Sequence, residues 1–470
     1  MITARSGVAR ARDRSVVPIV CLALAIAAGA VVALGHEYVT VVALGAALYG
    51  VFFLQSPAVA LLSYVATRPA VDAFVLLDAG PVTVGQLWGA GLIVVLTVFL
   101  LGADIESSTG RGVPLPVAGL VLLYAVLAAR GDTEIALQFF LKLAAWLLLL
   151  VAVQRIAQTR SGQEMCFRAG YALALGTAIL IGILAAIGKY GATYYDTFTL
   201  GQGSEQAPQP LAFLALFSLS FPLIALLQRW RPLLSLAIVA ALAIEITISY
   251  VRTALVALML IALVYIFVAV RRRRPTAFAF AGAFAVTAFV VQDRLAERFS
   301  DVNLLWSGDA SGAGSNRIAV WTSIWEATTA SVQTFTAGAG AGASHALSEE
   351  VIGAPVDAHN NFLELFATGG ILLVVACLVF IAWALGSVWR VYRDRMQSSR
   401  ARAVAALSFG AIAAFLATSF FASISFYVAL VGLAILLGLI RGMAATPGGT
   451  CFDPAPSGLP PTLVKPDGGG

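Results

Sequence analysis

The stretch RTALVALMLIALVYIFVAVRRRR, residues 252–274, decides the class of protein. Between Arg252 and Arg271 it carries no charged side chain. A bilayer core about 30 Å thick needs roughly 20 apolar residues in a helix, and a helix satisfies internally the backbone hydrogen bonds that lipid cannot make. The stretch therefore predicts a helix that crosses a membrane and ends in a basic cluster.

The composition of the whole chain agrees with this interpretation. Of 470 residues, 60% are hydrophobic and 11% are charged, whereas soluble domains carry about 25% charged residues. The net charge of +5 does not indicate a nucleic-acid partner, because the arginines form short clusters beside apolar runs. The cysteines have no short pair spacing, so neither a disulfide framework nor a metal site is expected. They are Cys21, Cys166, Cys377 and Cys451.

Similar apolar runs recur along the chain and predict an all-α, polytopic membrane protein with 12–14 transmembrane helices. The first run exceeds the usual signal-peptide core of about 7 to 15 residues, and a second run follows at once. We therefore interpret it as an uncleaved anchor. The candidate runs are 17–35, 38–55, 57–70, 84–102, 114–130, 135–155, 168–188, 209–228, 232–250, 252–270, 275–292, 361–387, 403–420 and 424–441.

The basic residues predict the orientation, because short cytoplasmic loops collect Lys and Arg. With the N-terminus inside, every basic cluster falls on one side, while 190–208, the tip at Arg252 and the long segment 293–358 fall outside. The inside clusters are Arg155, Arg160 and Arg168, then Arg229 and Arg231, then Arg271 to Arg274, then Arg390, Arg393, Arg395, Arg400 and Arg402.

This orientation divides the chain into four regions. Residues 1–292 hold the N-terminal transmembrane helices, and 293–358 form an exported loop with an amphipathic helix. Residues 359–442 hold the C-terminal transmembrane helices. The tail at 443–470 is rich in Pro and Gly without a periodic apolar face, so we expect a disordered cytoplasmic tail.

Polar residues that are able to carry chemistry lie just before the predicted helix at 361–387. His359 is able to accept a proton near neutral pH, and Asp357 or Asn360 is able to cap the helix. The alternative is a polar capping cluster with a surface histidine. Arg252, at the outer end of its run, is a functional candidate because charged groups at membrane depth are costly. The alternative for Arg252 is a side chain that extends to the headgroups.

Upstream, Arg317, Trp321 and Trp325 share one face of a predicted helix that lies at the membrane interface. The alternative for this face is simple anchoring, because Trp prefers that depth. The glycines of Gly338-Ala-Gly340-Ala-Gly342 are not a nucleotide cradle, since no strand precedes them and no Lys-Ser/Thr follows. We expect a flexible turn there.

Residues 317–360 contain an Arg-Trp pair, a Gly-rich turn and a His-Asn pair, in that order. This arrangement resembles that of the O-antigen ligase and polymerase family. The resemblance implies a helical fold of the C-type glycosyltransferase kind in a bacterial inner membrane, with 293–358 as a periplasmic loop and the site on the periplasmic face. It implies transfer of a glycan from undecaprenyl diphosphate to lipid A-core or to another lipid-linked glycan. Membrane lipids are the remaining expected partners.

For the mechanism, we expect Arg252 and Arg317 to hold the diphosphate while His359 deprotonates the acceptor hydroxyl, which attacks C1 with inversion. No metal or other cofactor is expected. Asn360, Trp321 and Arg68 are predicted substrate contacts, although Arg68 fits a helix end equally well. Tyr195 is a predicted glycan contact because Tyr rings pack against sugars. The rival functions are a transporter or flippase and a structural scaffold.

Overall fold

A computed structural model describes residues 49–69, 84–102, 113–186, 190–194, 197–200, 209–249, 251–270, 317–353, 355, 357–395, 397–420 and 430–445, with isolated residues between 278 and 292. The predicted anchor at 17–35, residues 293–316 of the predicted loop, Tyr195 and the predicted tail after Ala445 lie outside these residues.

The described residues form helices α1 to α15 and one β-hairpin. Six spans are long and apolar enough to cross a membrane: α4, residues 160–183 of α5, Leu211–Gln228 across α6 and α7, α9, α13 and residues 401–419 of α14. The bounds are α1 Pro57–Ala66, α2 Val84–Gly102, α3 Leu115–Ala128, α4 Thr133–Ile156, α5 Arg160–Ala186, α6 Gln209–Ser218, α7 Ser220–Gln228, α8 Pro232–Ile248, α9 Arg252–Val270, α10 Arg317–Thr329, α11 Val332–Ala337, α12 Ala343–Ile352, α13 Asn361–Arg393, α14 Ser399–Ser419 and α15 Val431–Ala445.

These helices confirm the predicted class, a polytopic all-α membrane protein. The bounds of α2 and α9 coincide with the predicted runs, while the run at 209–228 is divided into α6 and α7. One small exception is an antiparallel hairpin of Tyr190–Tyr194 (β1) and Thr197–Leu200 (β2). Its residues are rich in Tyr, Thr and Phe, which favour strands.

Small residues bring the membrane helices close together. In α15, Gly438 lies against the Val153 side chain of α4, and Gly442 lies against Ala157 just after it. In α14, Gly410 lies against Val264 of α9. Because lipid and side chains are similarly apolar, such close packing contributes much of the association between membrane helices.

Polar side chains cap the starts of helices, among them α4, α13 and α14. Asp132 accepts hydrogen bonds from the backbone N–H groups of residues 134 and 135 at the start of α4. Asn360 does the same for residues 362 and 363 at the start of α13, and Ser398 accepts from Ala401 N in α14. These caps satisfy N–H groups that the first helical turn leaves without partners.

The short helices α10, α11 and α12, which are not among the six apolar spans, fold onto the N-terminal part of α13. A small apolar core of Val320, Ile324, Ala358 and Ala367 joins α10 to α13 and to the segment before it. This core places residues 357–360 between α10, α12 and the first turn of α13.

Candidate active site

Helix α13 is kinked at Gly370, whose φ of 60° and ψ of −160° are not helical. A kink leaves carbonyl groups of the preceding turn without their usual partners. Here Ala367 O accepts from Ala339 N at 2.8 Å, and Thr368 O accepts from Gly340 N at 3.0 Å. The glycine segment, defined as residues 338–342, therefore supplies hydrogen-bond donors to the carbonyl groups that the kink in α13 leaves unpaired.

The other side of the glycine segment is bonded to the turn between α3 and α4. Ala341 N donates to Ala128 O at 3.1 Å, and Asp132 N donates to Ala341 O at 2.9 Å. Gly340 has a φ of 100°, and a Cβ there would collide with the backbone of Gly131. The flexible turn predicted for these glycines is wrong, because backbone bonds fix them between α13 and the α3–α4 turn.

His359 lies at the end of the segment that leads into α13, in a strained backbone conformation. Its φ is 51°, a left-handed value that costs a non-glycine residue about 1–2 kcal/mol. Its Nδ1 atom is buried and has no hydrogen-bond partner among the described residues. Burial lowers the pKa of His359, the positive charge of Arg317 lowers it further, and Asp357 opposes the shift. The imidazole is therefore neutral at pH 7.

Both backbone groups of Ala358 are held by side chains. Trp321 Nε1 of α10 donates to Ala358 O at 2.6 Å. Ala358 N donates to Glu364 Oε2 at 3.2 Å, and the other carboxylate oxygen, Oε1, accepts from Ser344 Oγ of α12 at 2.8 Å. These contacts hold the two peptide groups that precede the Cα atom of His359.

A second histidine, His345 of α12, is bonded to the same segment. Its Nε2 lies 2.6 Å from Asp357 Oδ1. The hydrogen bond to Asp357 raises the pKa of His345, burial opposes the shift, and the charges of Asp357, Glu364 and Asp132 add to it. A raised pKa favours the protonated form of His345, and in that form the contact is an ion pair. Among the described residues, no cluster of three or more His, Cys, Asp or Glu is arranged to hold a metal.

Sequence reasoning missed Ser344, His345 and Glu364. Ser344 and Glu364 are 20 residues apart, and His345 and Asp357 are 12 apart, so no local pattern links either pair. The available signal was that the chain has three histidines and that two of them fall in or beside the predicted loop.

Asn360 and Trp321 contact the protein itself. Asn360 Oδ1 accepts from Phe362 N at 3.0 Å and from Leu363 N at 3.1 Å. The capping interpretation of Asn360 is thus what the geometry shows, and substrate binding by Asn360 and Trp321 stays a prediction. The neighbouring Asn361 Nδ2 donates to Ser419 Oγ at 3.0 Å, which ties α13 to the end of α14.

The predicted arginines occupy different places. Arg317 begins α10 and acts electrostatically on His359. Arg252 begins α9, which packs along α14. Arg68 is buried in a separate cluster between α1 and α2, with its guanidinium carbon 4.7 Å from the centre of the Trp88 ring. Tyr195 lies outside the described residues.

An apolar surface adjoins the His359 segment. The rings of Trp325 and Phe335 pack on Phe366, with centroids 5.5 and 5.8 Å apart. Trp325 is 56% exposed, and Val332 between them in sequence is 84% exposed. We call Trp325, Val332, Phe335 and Phe366 the apolar rim. Exposed apolar groups beside the start of a membrane helix are typical of the membrane interface.

The fold and this cluster define a polytopic helical membrane protein in which three short helices close over the start of a kinked helix. Residues 236–378 match the family model described as O-Antigen ligase, so this part of the chain is similar to the O-antigen ligase family. The match covers somewhat under a third of the chain and includes Arg252, Arg317, Trp321, His359 and Asn360. It confirms the predicted resemblance and indicates an O-antigen ligase or polymerase type of function. No curated protein matches the chain.

Proposed function

We propose that this protein is a glycosyltransferase that moves a glycan from undecaprenyl diphosphate to an acceptor hydroxyl on the periplasmic face of a bacterial inner membrane. The observation that carries the proposal is the neutral His359, held in a strained backbone beside Arg317 within the family-matched segment. Lipid A-core and a second lipid-linked glycan are the two candidate acceptors.

His359 is suited to act as the general base. A base must be unprotonated at the working pH, and the lowered pKa of His359 meets that condition. Strained residues are retained where the surrounding structure holds them, often at functional sites. The contacts of Trp321 and Glu364 with Ala358 provide that support.

Arg317 and Arg252 are suited to bind the diphosphate of the donor. A guanidinium forms paired hydrogen bonds to phosphate oxygens and neutralises charge that develops on them. The electrostatic effect of Arg317 on His359 supports an anion site beside the base. Ser419 bonds Asn361, two residues after His359. The proposed orientation puts Arg252 on the same side of the membrane as Ser419, because the basic clusters after α9 and around the start of α14 both mark the cytoplasmic side.

In the proposed step, the acceptor hydroxyl oxygen forms a bond to the anomeric C1 as the bond from C1 to the phosphate oxygen breaks. The hydroxyl proton passes to His359, and undecaprenyl diphosphate leaves with the bonding electrons. Attack opposite the leaving group inverts the configuration at C1. His359 then releases its proton to water, and cleavage of the glycosyl bond between C1 and the diphosphate oxygen supplies the driving force.

The apolar rim supports access from the membrane. Its exposed Trp325 and Val332 adjoin the first turns of α13, where outer-leaflet lipid would meet the site. A donor with a long isoprenoid chain is able to keep that chain in the bilayer while its diphosphate reaches the arginines.

Deleting the gene and separating the surface polysaccharide by gel electrophoresis tests the function. Loss of long chains from lipid A-core together with intact lipid-linked polymer would identify a ligase. Single lipid-linked repeats would identify a polymerase. Accumulation of donor on the cytoplasmic face, without a transfer defect when donor is supplied outside, would instead identify a flippase and refute the proposal.

Complementing that strain with His359→Ala, Arg317→Ala and Arg252→Ala tests the residues. We expect each to reduce transfer, and His359→Ala by roughly 100-fold or more, the size of a general-base effect. The control is Arg168→Ala, which removes an exposed arginine paired with Glu164. Wild-type transfer in all three variants, or accessibility labelling that places His359 in the cytosol, would refute the assignment.

A further inference from the structure

The imidazole of His359 is oriented through its backbone. In many active sites a carboxylate or carbonyl bonds one ring nitrogen of the histidine and fixes its orientation. Here Nδ1 is buried and has no hydrogen-bond partner among the described side chains and backbone groups. The position of the ring therefore depends on how firmly residues 357–360 are held.

Three elements hold that segment. From α10, Trp321 bonds Ala358 O, and from α13, Glu364 bonds Ala358 N while Asn360 caps the helix. From α12, His345 bonds the side chain of Asp357 at 2.6 Å. Of these contacts, the His345–Asp357 pair is the one that contains an imidazole, whose ordinary pKa lies near neutral pH.

We propose that His345 and Asp357 form a positioning pair for His359, which locks the segment onto α12 and whose charge state sets the proton affinity of the His359 ring. The catalytic part of this inference rests on the proposed function. The electrostatic part does not, because it concerns the two imidazoles alone.

The charges around the pair support this role. The groups that act on His345 are Asp357 in the segment, Glu364 on α13 and Asp132 at the start of α4, all carboxylates, and they raise its pKa. The groups that act on His359 are Arg317 and Asp357, with opposite signs. Lys142 of α4 also acts electrostatically on Asp357. A protonated His345 adds a positive charge beside Asp357, two residues before His359, and an unprotonated His345 removes it.

Two substitutions are expected to shift the pKa of His359 in opposite directions. Asp357→Asn removes the negative charge that favours protonation, so the pKa of His359 falls. His345→Gln keeps an N–H donor for Asp357 but removes the positive charge, so the pKa of His359 rises. A pair with a merely structural role would give no shift or shifts of the same sign.

The experiment is acylation of the full-length protein, in lipid nanodiscs, by diethyl pyrocarbonate over a range of pH. The reagent modifies neutral imidazole, and mass spectrometry of the peptides separates the modification of His359 from that of the other two histidines. We expect the His359 midpoint to move by roughly 0.5 pH unit downward in Asp357→Asn and upward in His345→Gln. Glu350→Gln is the control, since Glu350 is an exposed carboxylate farther along α12.

An unchanged midpoint in both variants, or movement in the same direction, would overturn the proposal. Where Asp357→Asn does not give folded protein, His345→Gln decides alone, and the upward shift is required. Both substitutions preserve side-chain shape closely enough that folding is the expected outcome.

Transfer assays then test the catalytic consequence. We expect His345→Ala to lose roughly 10-fold in kcat, with little change in KM, because a displaced base slows the chemical step. His345→Gln restores most of that loss by keeping the hydrogen bond. Transfer that survives His359→Ala would refute the role of His359 as the base, and a flippase phenotype in the deletion strain would refute the proposed function. Either result leaves the acylation result intact, so the two ideas fail separately.

Discussion

The glycine segment and the His359 segment both pack on α13, but they are held by different kinds of bond. Residues 338–342 are fixed by backbone hydrogen bonds to Ala367, Thr368 and the α3–α4 turn. Residues 357–360 are fixed by side chains, chiefly Trp321, Glu364 and His345. Backbone hydrogen bonds do not depend on which side chains are present, whereas side-chain contacts change with the charge and the identity of the residue.

This difference suits the proposed roles. A rigid glycine segment restores the hydrogen bonds of the kinked helix, because buried carbonyls without partners are costly. A side-chain-held segment is able to set the position and protonation of one imidazole. Substitutions in the first segment should therefore affect stability, and substitutions in the second should affect activity and its pH dependence.

The largest expected effect is that of Gly340→Ala. The added Cβ would collide with Gly131 at a backbone φ of 100°, so we expect a loss of about 2–4 kcal/mol in the free energy of unfolding. Gly353→Ala is the matched control, because Gly353 has a φ of 72° with no atom within 4 Å. It should lose only about 1 kcal/mol from backbone strain. Thermal unfolding in detergent measures both, and equal losses would contradict the close contact.

Next in size is Trp321→Phe, which leaves the buried Ala358 O without its donor. Leaving a buried acceptor unsatisfied costs about 1–3 kcal/mol, and we also expect slower transfer because the His359 segment loses one of its supports. Trp389→Phe is the control, since Trp389 is an exposed tryptophan at the opposite end of α13. Equal transfer rates in the two variants would argue against the support of His359 by Trp321.

Asn360→Ala should cost about 1 kcal/mol, the usual value of a lost N-cap. Asn360→Ser keeps an acceptor for Phe362 N and Leu363 N and should restore most of that stability. Measuring transfer in the same two variants separates the roles of this residue. If Asn360→Ser recovers stability but not transfer, the amide contacts substrate in addition to capping α13; if it recovers both, capping is its whole contribution.

The smallest effect is the dependence of stability on pH. Because the pKa of His345 is raised by Asp357, its stabilisation is complete below the ordinary histidine pKa of about 6.5. It is lost as pH rises through the raised value. The pKa of His359 is lowered, so that residue titrates below this window. The Tm of the wild-type protein should therefore fall by up to a few degrees above neutral pH. The Tm of His345→Gln should fall less over the same pH range. Identical Tm profiles would contradict the ion pair.

Part of the site was predictable and part was not. The Arg317–Trp321 face and the His359–Asn360 pair stand out because each is a local pattern on or beside a helix. The division of the run 209–228 at Leu219 and the kink at Gly370 are not visible in hydropathy, since apolar residues continue across both. The helix predicted to end at residue 387 continues to Arg393, where hydropathy has already fallen.

The sequence by itself determined the class of protein, the positions of the long apolar helices and the residues of the family signature. These depend on short-range properties, the length of apolar runs and the spacing of polar groups along one helix. The tertiary structure alone decided the bonding of the glycine segment to α13 and the clamp of Ser344, His345 and Glu364 on residues 357–360. Those contacts join residues that are distant along the chain, and only packing of α10, α12 and α13 brings their atoms within hydrogen-bond distance.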